Sequence, residues 1–410
     1  MNLDIPYIRV GTSYFKIIEK PLISGDKVKV MTRWNRETIV SDHGKSFLGN
    51  ILKLDGFCCI PDHLNYQLIV DNFYNTYNDL SASPINEALT LEQLKNNIPN
   101  TLNFVQHIFG DQKEFGLDYL KLLFEKPTQA LPILCLVSKE RATGKSSFIK
   151  WLKAIFGLNM TYIKGDSFNS QFNSDWASML LVAIDEVFFD KKEITERLKY
   201  LSTTNHDKVE AKGKDRQEIE FFAKFILCSN NEDNFIQIDE EEIRFWIRKI
   251  RPIKSEDVFF LKKLNAEIPY FLKYLLERDC KSTQETRMWF TPQQIMTESL
   301  MKLINKNRTE VALLELFHEC FEKMDDEEIL VAPNDILLLL RKTNPRLFIA
   351  ASEIRKILKR WDFQPEDNTK SYQGIELLSH GEIVKVDRRG RYYLIKKFLF
   401  YKIFDALMQE

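Results

Sequence analysis

Three short apolar runs alternate with helical patterns in the middle of this chain. They are ILCLV (133–137), LLVAI (180–184) and FILC (225–228), and each is too short to form a helix. Continuous apolar runs of this length are typical of strands that are buried on both faces of a parallel sheet. The segments between them are long enough for helices that cover such a sheet. The pattern therefore predicts an α/β domain.

Helical periodicity marks further segments. Residues 113–126 carry one apolar stripe that Pro127 ends, and 256–279 and 309–324 have helical patterns as well. The first hundred residues instead contain short β-like runs such as YIRV, YFKII and VKVMT. The patterns predict an α+β connector over 1–100, the α/β core over 101–252, a helical lid or linker over 253–305, and a C-terminal domain over 306–410.

Composition narrows the class of protein. Of the 410 residues, 44% are apolar and 29% are charged, so the chain can bury a sizeable core. The formal net charge is −1, so any nucleic-acid surface must be local. The six cysteines form no C-x-x-C pair, and no run approaches the ~18 apolar residues of a membrane helix. We therefore expect a soluble cytoplasmic protein in a reducing compartment, without a membrane partner.

The stretch KERATGKSSF (139–148) follows the first apolar run and precedes a helical pattern. It matches the end of the phosphate-binding loop G-x-x-x-x-G-K-[ST], although Lys139 replaces the first glycine. In such loops the lysine reaches the β- and γ-phosphates and the serine hydroxyl holds Mg²⁺. Alone, the tripeptide GKS is equally compatible with a surface turn, but the strand–loop–helix context favours a nucleotide site. The predicted binding residues are Thr143, Gly144, Lys145, Ser146 and Ser147.

Polar residues directly follow the other two apolar runs. Asp185 and Glu186 follow the second run, and Asn230 follows the third. An aspartate there can bind Mg²⁺, the next glutamate can polarise an attacking water, and an asparagine can sense the γ-phosphate and orient that water. Each residue alone could be an ordinary solvated strand end or turn. Three suitable strand ends in order predict an ATPase that uses ATP and Mg²⁺.

Four motifs follow one another along the chain: GKS at 144–146, the acid pair at 185–186, SNN at 229–231 and EIRFWIRKI at 242–250. With them, the chain resembles the superfamily 3 helicases of the phage and plasmid primase-helicase type, a branch of the AAA+ ATPases. The resemblance implies an AAA+ P-loop core and a ring, usually a hexamer, with ATP between subunits. It also implies an arginine that reaches the neighbour's γ-phosphate; Arg244 matches that position, and Arg248 is a second candidate.

A basic hairpin is predicted between the acid pair and the asparagine. KVEAK and EIEFF can pair as strands around the turn GKD. The resemblance places such a hairpin in the central channel of the ring, where lysines would grip DNA phosphates. On charge alone, a solubilising surface turn is the alternative. The candidate DNA contacts are Lys208, Lys212, Lys214 and Arg216.

The C-terminal region is basic within a nearly neutral chain. Residues 341–397 hold 14 Lys and Arg against 7 Asp and Glu. Segment 352–363 predicts a helix with one apolar and one basic face, capped by Ser352, and 383–395 predicts a hairpin that turns at 387–390. This combination favours a winged-helix domain for duplex or forked DNA, with a protein-docking module as the alternative. The candidate contacts are Arg355, Lys356, Lys359, Arg360, Arg388 and Arg389.

These features predict an ATP-dependent, ring-forming DNA helicase that acts on single-stranded or forked DNA in the replication of a phage or mobile element. The direction, 3′ to 5′, is implied by the resemblance alone. Residues 1–100 contain no Asp-x-Asp motif, so we expect a separate primase. The alternatives are an AAA+ DNA translocase or remodelling motor, and a non-enzymatic replication initiator with a nucleotide switch. Glu186 and Arg244 favour an enzyme, because a switch requires only nucleotide binding.

Overall fold

The protein is described by a computed structural model. It covers residues 5–408 except 22, 24–26, 169, 171–172, 186–191, 211–216, 233–234, 237, 239–243, 254, 256, 308, 344–348 and 379–380. The chain divides into two compact units. The first takes in most of residues 1–296, and the second consists mainly of Thr297–Glu410.

The first unit begins with a β-rich region. Its elements are β1 (Tyr7–Val10), β2 (Ser13–Pro21), β3 (Lys27–Trp34), α1 (Arg36–His43), β4 (Leu52–Leu54), β5 (Gly56–Cys58), β6 (Ile69–Val70) and β7 (Phe73–Asn75). Strands β3, β2 and β1 form an antiparallel ladder, and β4 pairs in parallel with β1. A second small sheet has the order β5-β7-β6. The strands expected at YIRV, YFKII and VKVMT are thereby confirmed.

The remainder of the first unit is an α/β domain around a five-stranded parallel sheet. The sheet strands are β8 (Ile133–Val137), β9 (Met160–Lys164), β10 (Leu181–Asp185), β13 (Lys224–Ser229) and β14 (Phe245–Lys249). Their order is β14-β8-β13-β10-β9. All three strands expected from apolar runs are confirmed, and they occupy the buried centre of the sheet. The apolar runs do not predict the edge strands β9 and β14, because the sequences of these strands, MTYIK and FWIRK, mix polar with apolar residues.

Helices and one separate hairpin complete the α/β domain. The helices are α2 (Leu91–Asn96), α3 (Pro99–Phe109), α4 (Lys113–Glu125), α5 (Lys145–Phe156), α6 (Gly165–Phe168), α7 (Lys192–Leu201), α8 (Phe260–Glu277) and α9 (Pro292–Ile295). The hairpin consists of β11 (His206–Val209) and β12 (Gln217–Glu220). Helix α4 ends before Pro127 as expected. Helix α8 begins later than the predicted residue 256, because the Asp257 carboxylate accepts a hydrogen bond from the Phe259 amide and holds a turn there.

The second unit has its own apolar core. Its elements are α10 (Glu298–Asn307), α11 (Thr309–Met324), β15 (Glu328–Val331), α12 (Pro333–Thr343), α13 (Ala351–Arg360), β16 (Lys370–Leu377), β17 (Ile383–Gly390), β18 (Tyr393–Lys396) and α14 (Lys397–Met408). Helix α11 has the predicted bounds, and α13 buries Ile354, Ile357 and Leu358 in the core as predicted. Among the described residues of the whole chain, no helix is both long and apolar enough to cross a membrane.

Two predictions for the second unit are wrong in detail. Residues 387–390 do not form a turn, because they lie within β17 and pair with β16. The reversal instead lies between Leu377 and Ile383, which pair with each other, and Gly381 there has a left-handed φ of 86°. Ser352 does not cap α13. That helix begins after Ala350, which makes no side-chain capping bond.

Lys224, the first residue of β13, is a fully buried amine. Its Nζ donates hydrogen bonds to the carbonyl oxygens of Pro127 and Phe222. Burial lowers the pKa of Lys224 from its ordinary 10.5 to about 7, since the low-dielectric interior disfavours the charged form.

We predict that Lys224 makes stability depend on pH. Between about pH 7 and 10 the unfolded state keeps this amine protonated while the folded state does not, so the free energy of unfolding rises with pH. Lys224→Met should remove this contribution. Urea unfolding at pH 7, 8 and 9 measures it, with the exposed Lys150→Met as the matched control. The same pH slope in wild type and Lys224→Met would show that the buried amine is not responsible.

Candidate active site

Three strand ends meet at the carboxyl edge of the parallel sheet. Strand β13 lies between β8 and β10, and Ser229 is in register with Val137. The loop that follows β8, Asn230 after β13, and Asp185 at the end of β10 are therefore neighbours at this edge. Ligands of open α/β sheets bind outside the carboxyl ends of the strands. The three motifs that the sequence places at strand ends are thus brought together.

The loop between β8 and α5 has an unusual backbone. Ala142 and Gly144 have left-handed φ values of 53° and 89°. Such residues turn successive amide groups toward one point, and α5 begins at Lys145, so its N-terminus adds further unpaired amides. Lys139 does not take a positive φ, so a lysine is tolerated in place of the first glycine. The loop has the geometry of an anion cradle.

Lys145 lies inside this cradle with only 8% of its surface exposed. Its Nζ donates to the carbonyl oxygen of Ser138 at 3.2 Å and to Oδ1 of Asn230 at 3.1 Å. Burial lowers the pKa of Lys145, and the nearby Cys228, Asp185 and Glu232 partly oppose this shift. The lysine and the asparagine are therefore in direct contact, and Asp185 lies within electrostatic range.

The remaining loop residues differ in exposure. Ser146 and Asp185 are exposed to solvent, Ser147 is half-buried, and Thr143 is buried. The two residues expected to hold Mg²⁺ therefore lie where an ion can enter. Serine hydroxyl and carboxylate oxygens are ligands that Mg²⁺ prefers, so the donor set fits this metal.

Glu232 holds the start of the loop, and no motif in the sequence predicts this role. Its Oε1 accepts from the Lys139 amide at 2.9 Å, and its Oε2 pairs with Lys249 Nζ at 2.7 Å. Burial alone would raise the pKa of Glu232, but the hydrogen bonds from Lys249 and Lys139 outweigh it and lower the pKa. The carboxylate thus links the loop to β14 while charged.

The end of the loop is held by one side chain and one backbone amide from elsewhere in the first unit. His107 on α3 makes a 2.9 Å hydrogen bond to the Thr143 carbonyl oxygen, and the Ile253 amide donates to the Ala142 carbonyl oxygen at 2.9 Å. A Cβ on Gly144 would lie 3.2 Å from both Phe104 Cε2 and Ile253 Cδ1. Only glycine therefore fits here without displacing its neighbours.

Arg244 lies at the opposite edge of the sheet. It follows the Asn230 strand in the sequence and immediately precedes β14, where its carbonyl oxygen accepts a hydrogen bond from the Ile133 amide at 2.7 Å. Arg248 on β14 is buried, donates to Gln112 Oε1 at 2.7 Å and pairs with Asp111 at 3.1 Å. These contacts occupy Arg248, so it is the weaker candidate for a role in a neighbouring subunit.

Several candidates cannot be placed. Glu186, Lys212, Lys214 and Arg216 lie outside the described residues. A hairpin is present here, formed by β11 and β12 with Lys208 opposite Glu218, but its strands overlap only part of the predicted KVEAK and EIEFF. The predicted turn GKD lies outside the described residues. Lys208 is exposed.

The basic candidates of the second unit fall into two groups. Arg355, Lys356 and Lys359 on α13 are exposed, as is Arg389 on β17. Arg360 is also exposed, but it pairs with Glu310 at 2.8 Å. Arg388 pairs with Asp335 at 3.0 Å and Glu376 at 3.2 Å, so these contacts hold it in the fold rather than leaving it for DNA.

Comparisons with known proteins agree with this architecture. Residues 136–248 match a protein-family model described as a family of unknown function, DUF5906. No curated protein matches the chain. The apo structure of the NrS-1 C-terminal region matches with a TM-score of 0.55 at 14% identity over 95% of each chain. Its A form matches with a TM-score of 0.52 at 15% identity over 95% of this chain and 96% of that one.

At this identity the likeness shows a shared fold. A JCV helicase structure also matches, over 63% of this chain and 67% of that one, at 13% identity and a TM-score of 0.30. That similarity is too low to support an argument about function.

We predict that Gly144→Ala destabilises the protein even without ligand. The left-handed backbone and the contacts with Phe104 and Ile253 together should cost about 1–3 kcal/mol in the free energy of unfolding. Gly49→Ala is the matched control, since no atom lies within 4 Å of its Cβ position and its φ is not left-handed. Urea denaturation measures both. Equal stabilities of the two variants would contradict the strained loop.

Proposed function

We propose that this chain is an ATP-dependent DNA helicase whose subunits form a ring, usually a hexamer, and move 3′ to 5′ in the replication of a phage or mobile element. The observation that supports this proposal is the hydrogen bond of the buried Lys145 to Asn230, next to a loop with two left-handed residues. In a GKS turn on the surface, the lysine would be solvated rather than buried against the end of a neighbouring strand. The resemblance of the four motifs supplies the helicase assignment.

Each residue at the carboxyl edge has a role in ATP hydrolysis. The loop amides and Lys145 bind the phosphates, and Asn230 orients the attacking water beside the γ-phosphate. Ser146 and Asp185 would hold Mg²⁺, which neutralises charge on the phosphates when bound. Glu186 is one residue beyond Asp185 in the sequence and is assigned as the group that polarises the water.

Arg244 is proposed to serve the neighbouring subunit. Its backbone is bonded to the first residue of β8, whereas the phosphate loop follows the last residue of β8. The length of the strand therefore separates Arg244 from the cradle of its own chain. An arginine provided by a neighbour stabilises charge on the transferring phosphoryl group and can accelerate hydrolysis by ~10³-fold or more.

DNA is proposed to contact both units. In the first, Lys208 and the adjoining basic residues of the β11–β12 hairpin would grip one strand. In the second, the element order α11-β15-α12-α13-β16-β17 supports a winged-helix domain with α13 as its recognition helix. Three exposed residues of α13, Arg355, Lys356 and Lys359, form its basic face. The β16–β17 connection, which would be the tip of the wing, contains no Lys or Arg. We therefore expect α13 rather than this tip to provide most of the DNA contacts.

We predict that Lys145→Ala and Arg244→Ala each abolish ATP hydrolysis and that mixing them restores part of it. The first variant loses phosphate binding and the second loses the arginine supplied to a neighbour, so a mixed interface can combine one intact loop with one intact arginine. The ATPase rate is measured across mixing ratios after subunit exchange has been verified. Arg36→Ala, an exposed arginine on α1, should retain full activity alone. A mixture as inactive as its components would contradict the action of Arg244 on a neighbour.

We predict that replacing Arg355, Lys356 and Lys359 together with alanine weakens forked-DNA binding and leaves basal ATPase activity intact. Each lost phosphate contact should reduce the slope of log K against log salt by ~0.9, so the slope should fall by up to ~3. Fluorescence anisotropy at several salt concentrations measures this.

The matched control removes the same charge elsewhere. Lys29, Lys45 and Lys53 are exposed in the N-terminal region, and their replacement with alanine should leave the salt slope unchanged. If both triple variants lowered the slope equally, the basic face would have no specific role in DNA binding.

A further inference from the structure

Three apolar side chains remain exposed where the chain passes the phosphate loop. Ile253 is 36% exposed, Val258 is 83% exposed and Phe259 is 63% exposed. They lie between β14 and α8, in the segment that follows the sheet strand next to β8. Large apolar side chains exposed together beside a polar site are typical of a ligand-binding surface.

Both ends of this segment are fixed against the loop. At one end, the Ile253 amide binds the Ala142 carbonyl oxygen at 2.9 Å, and its Cδ1 lies 3.2 Å from the Cβ position of Gly144. At the other end, the Phe260 ring packs 5.0 Å from the ring of Phe104, which also lies 3.2 Å from that Cβ position. Val258 and Phe259 lie between these anchors in the sequence, and Phe259 directly precedes Phe260.

The backbone of Phe259 is fixed although its ring is exposed. The Phe259 amide donates to Asp257 Oδ1 at 2.9 Å, and Asp257 is paired with Lys263 at 2.7 Å. The Phe259 carbonyl oxygen accepts from the Lys263 amide at 3.0 Å. The start of α8 thus presents the ring from a defined position. Pre-ordering of this kind reduces the entropy lost when a flat ligand binds.

We propose that Phe259, with Val258 and Ile253, forms the platform that binds the base of the nucleoside triphosphate. This inference rests on the proposed function, because it requires the phosphates to lie on the loop. A triphosphate held there leaves its ribose and base to project beyond the loop, and the exposed apolar surface begins at Ile253. Every nucleobase has an aromatic face that can stack on such a ring. Because stacking grows with ring area, the platform favours purine over pyrimidine nucleotides.

The test compares ATP with inorganic triphosphate, which has the phosphates but no base. Both are titrated by calorimetry with wild-type protein, Phe259→Ala and Phe259→Trp. Phe259→Ala should lower ATP affinity by ~10-fold and leave triphosphate affinity unchanged, since one base–aromatic stack is removed. Phe259→Trp should keep ATP affinity. Phe398→Ala, which truncates a phenylalanine with 77% exposure on α14, is the matched control and should change neither affinity.

The outcomes separate this inference from the proposal on which it rests. Wild-type protein that binds neither ligand would contradict the nucleotide site itself. Wild-type protein that binds ATP and triphosphate equally would contradict only the platform. An equal loss of both affinities in Phe259→Ala would also overturn it, because Phe259 would then support the phosphate loop rather than the base.

Discussion

The parallel pairing of β8, β13 and β10 is the constraint on which the candidate site depends. Leu227 pairs with both Ile184 and Cys135, so the three strands run in one direction with their ends aligned. Parallel order places every carboxyl end at the same edge. Residues 145, 185 and 230 are far apart in sequence, and only this alignment makes Lys145 a neighbour of Asp185 and Asn230.

The cradle is braced from outside the sheet. The carboxylate of Glu267 on α8 accepts hydrogen bonds from the amides of Asn100 and Thr101. These amides lie in the first turn of α3, where no partner within the helix is available. Helix α3 in turn places Phe104 and His107 against the end of the loop. Since α8 begins directly after the exposed Phe259, one pair of helices supports both the β8–α5 loop and the apolar surface that precedes α8.

Local sequence patterns are sufficient to predict strands in which almost every residue is buried. The apolar runs predict β8, β10 and β13, and the GKS loop follows from its position between a strand and a helix. Contacts between residues that are distant in the sequence leave no pattern in the local sequence. The hydrogen bond between Glu232 and Lys139 joins residues 93 positions apart, and the one between His107 and Thr143 joins residues 36 positions apart. At 387–390 the sequence DRRG favours a turn, but pairing with β16 and the ion pairs of Arg388 with Asp335 and Glu376 outweigh that preference.

The position of Arg244 follows from the same sheet. Strand β14 is in register with β8 from Phe245 opposite Ile133 to Lys249 opposite Val137. Five residues of strand span about 16 Å, so the residue before β14 and the loop after β8 lie on opposite edges. A side chain at one edge cannot reach a phosphate at the other. If Arg244 acts on a phosphate, that phosphate belongs to another subunit, and hydrolysis then requires assembly.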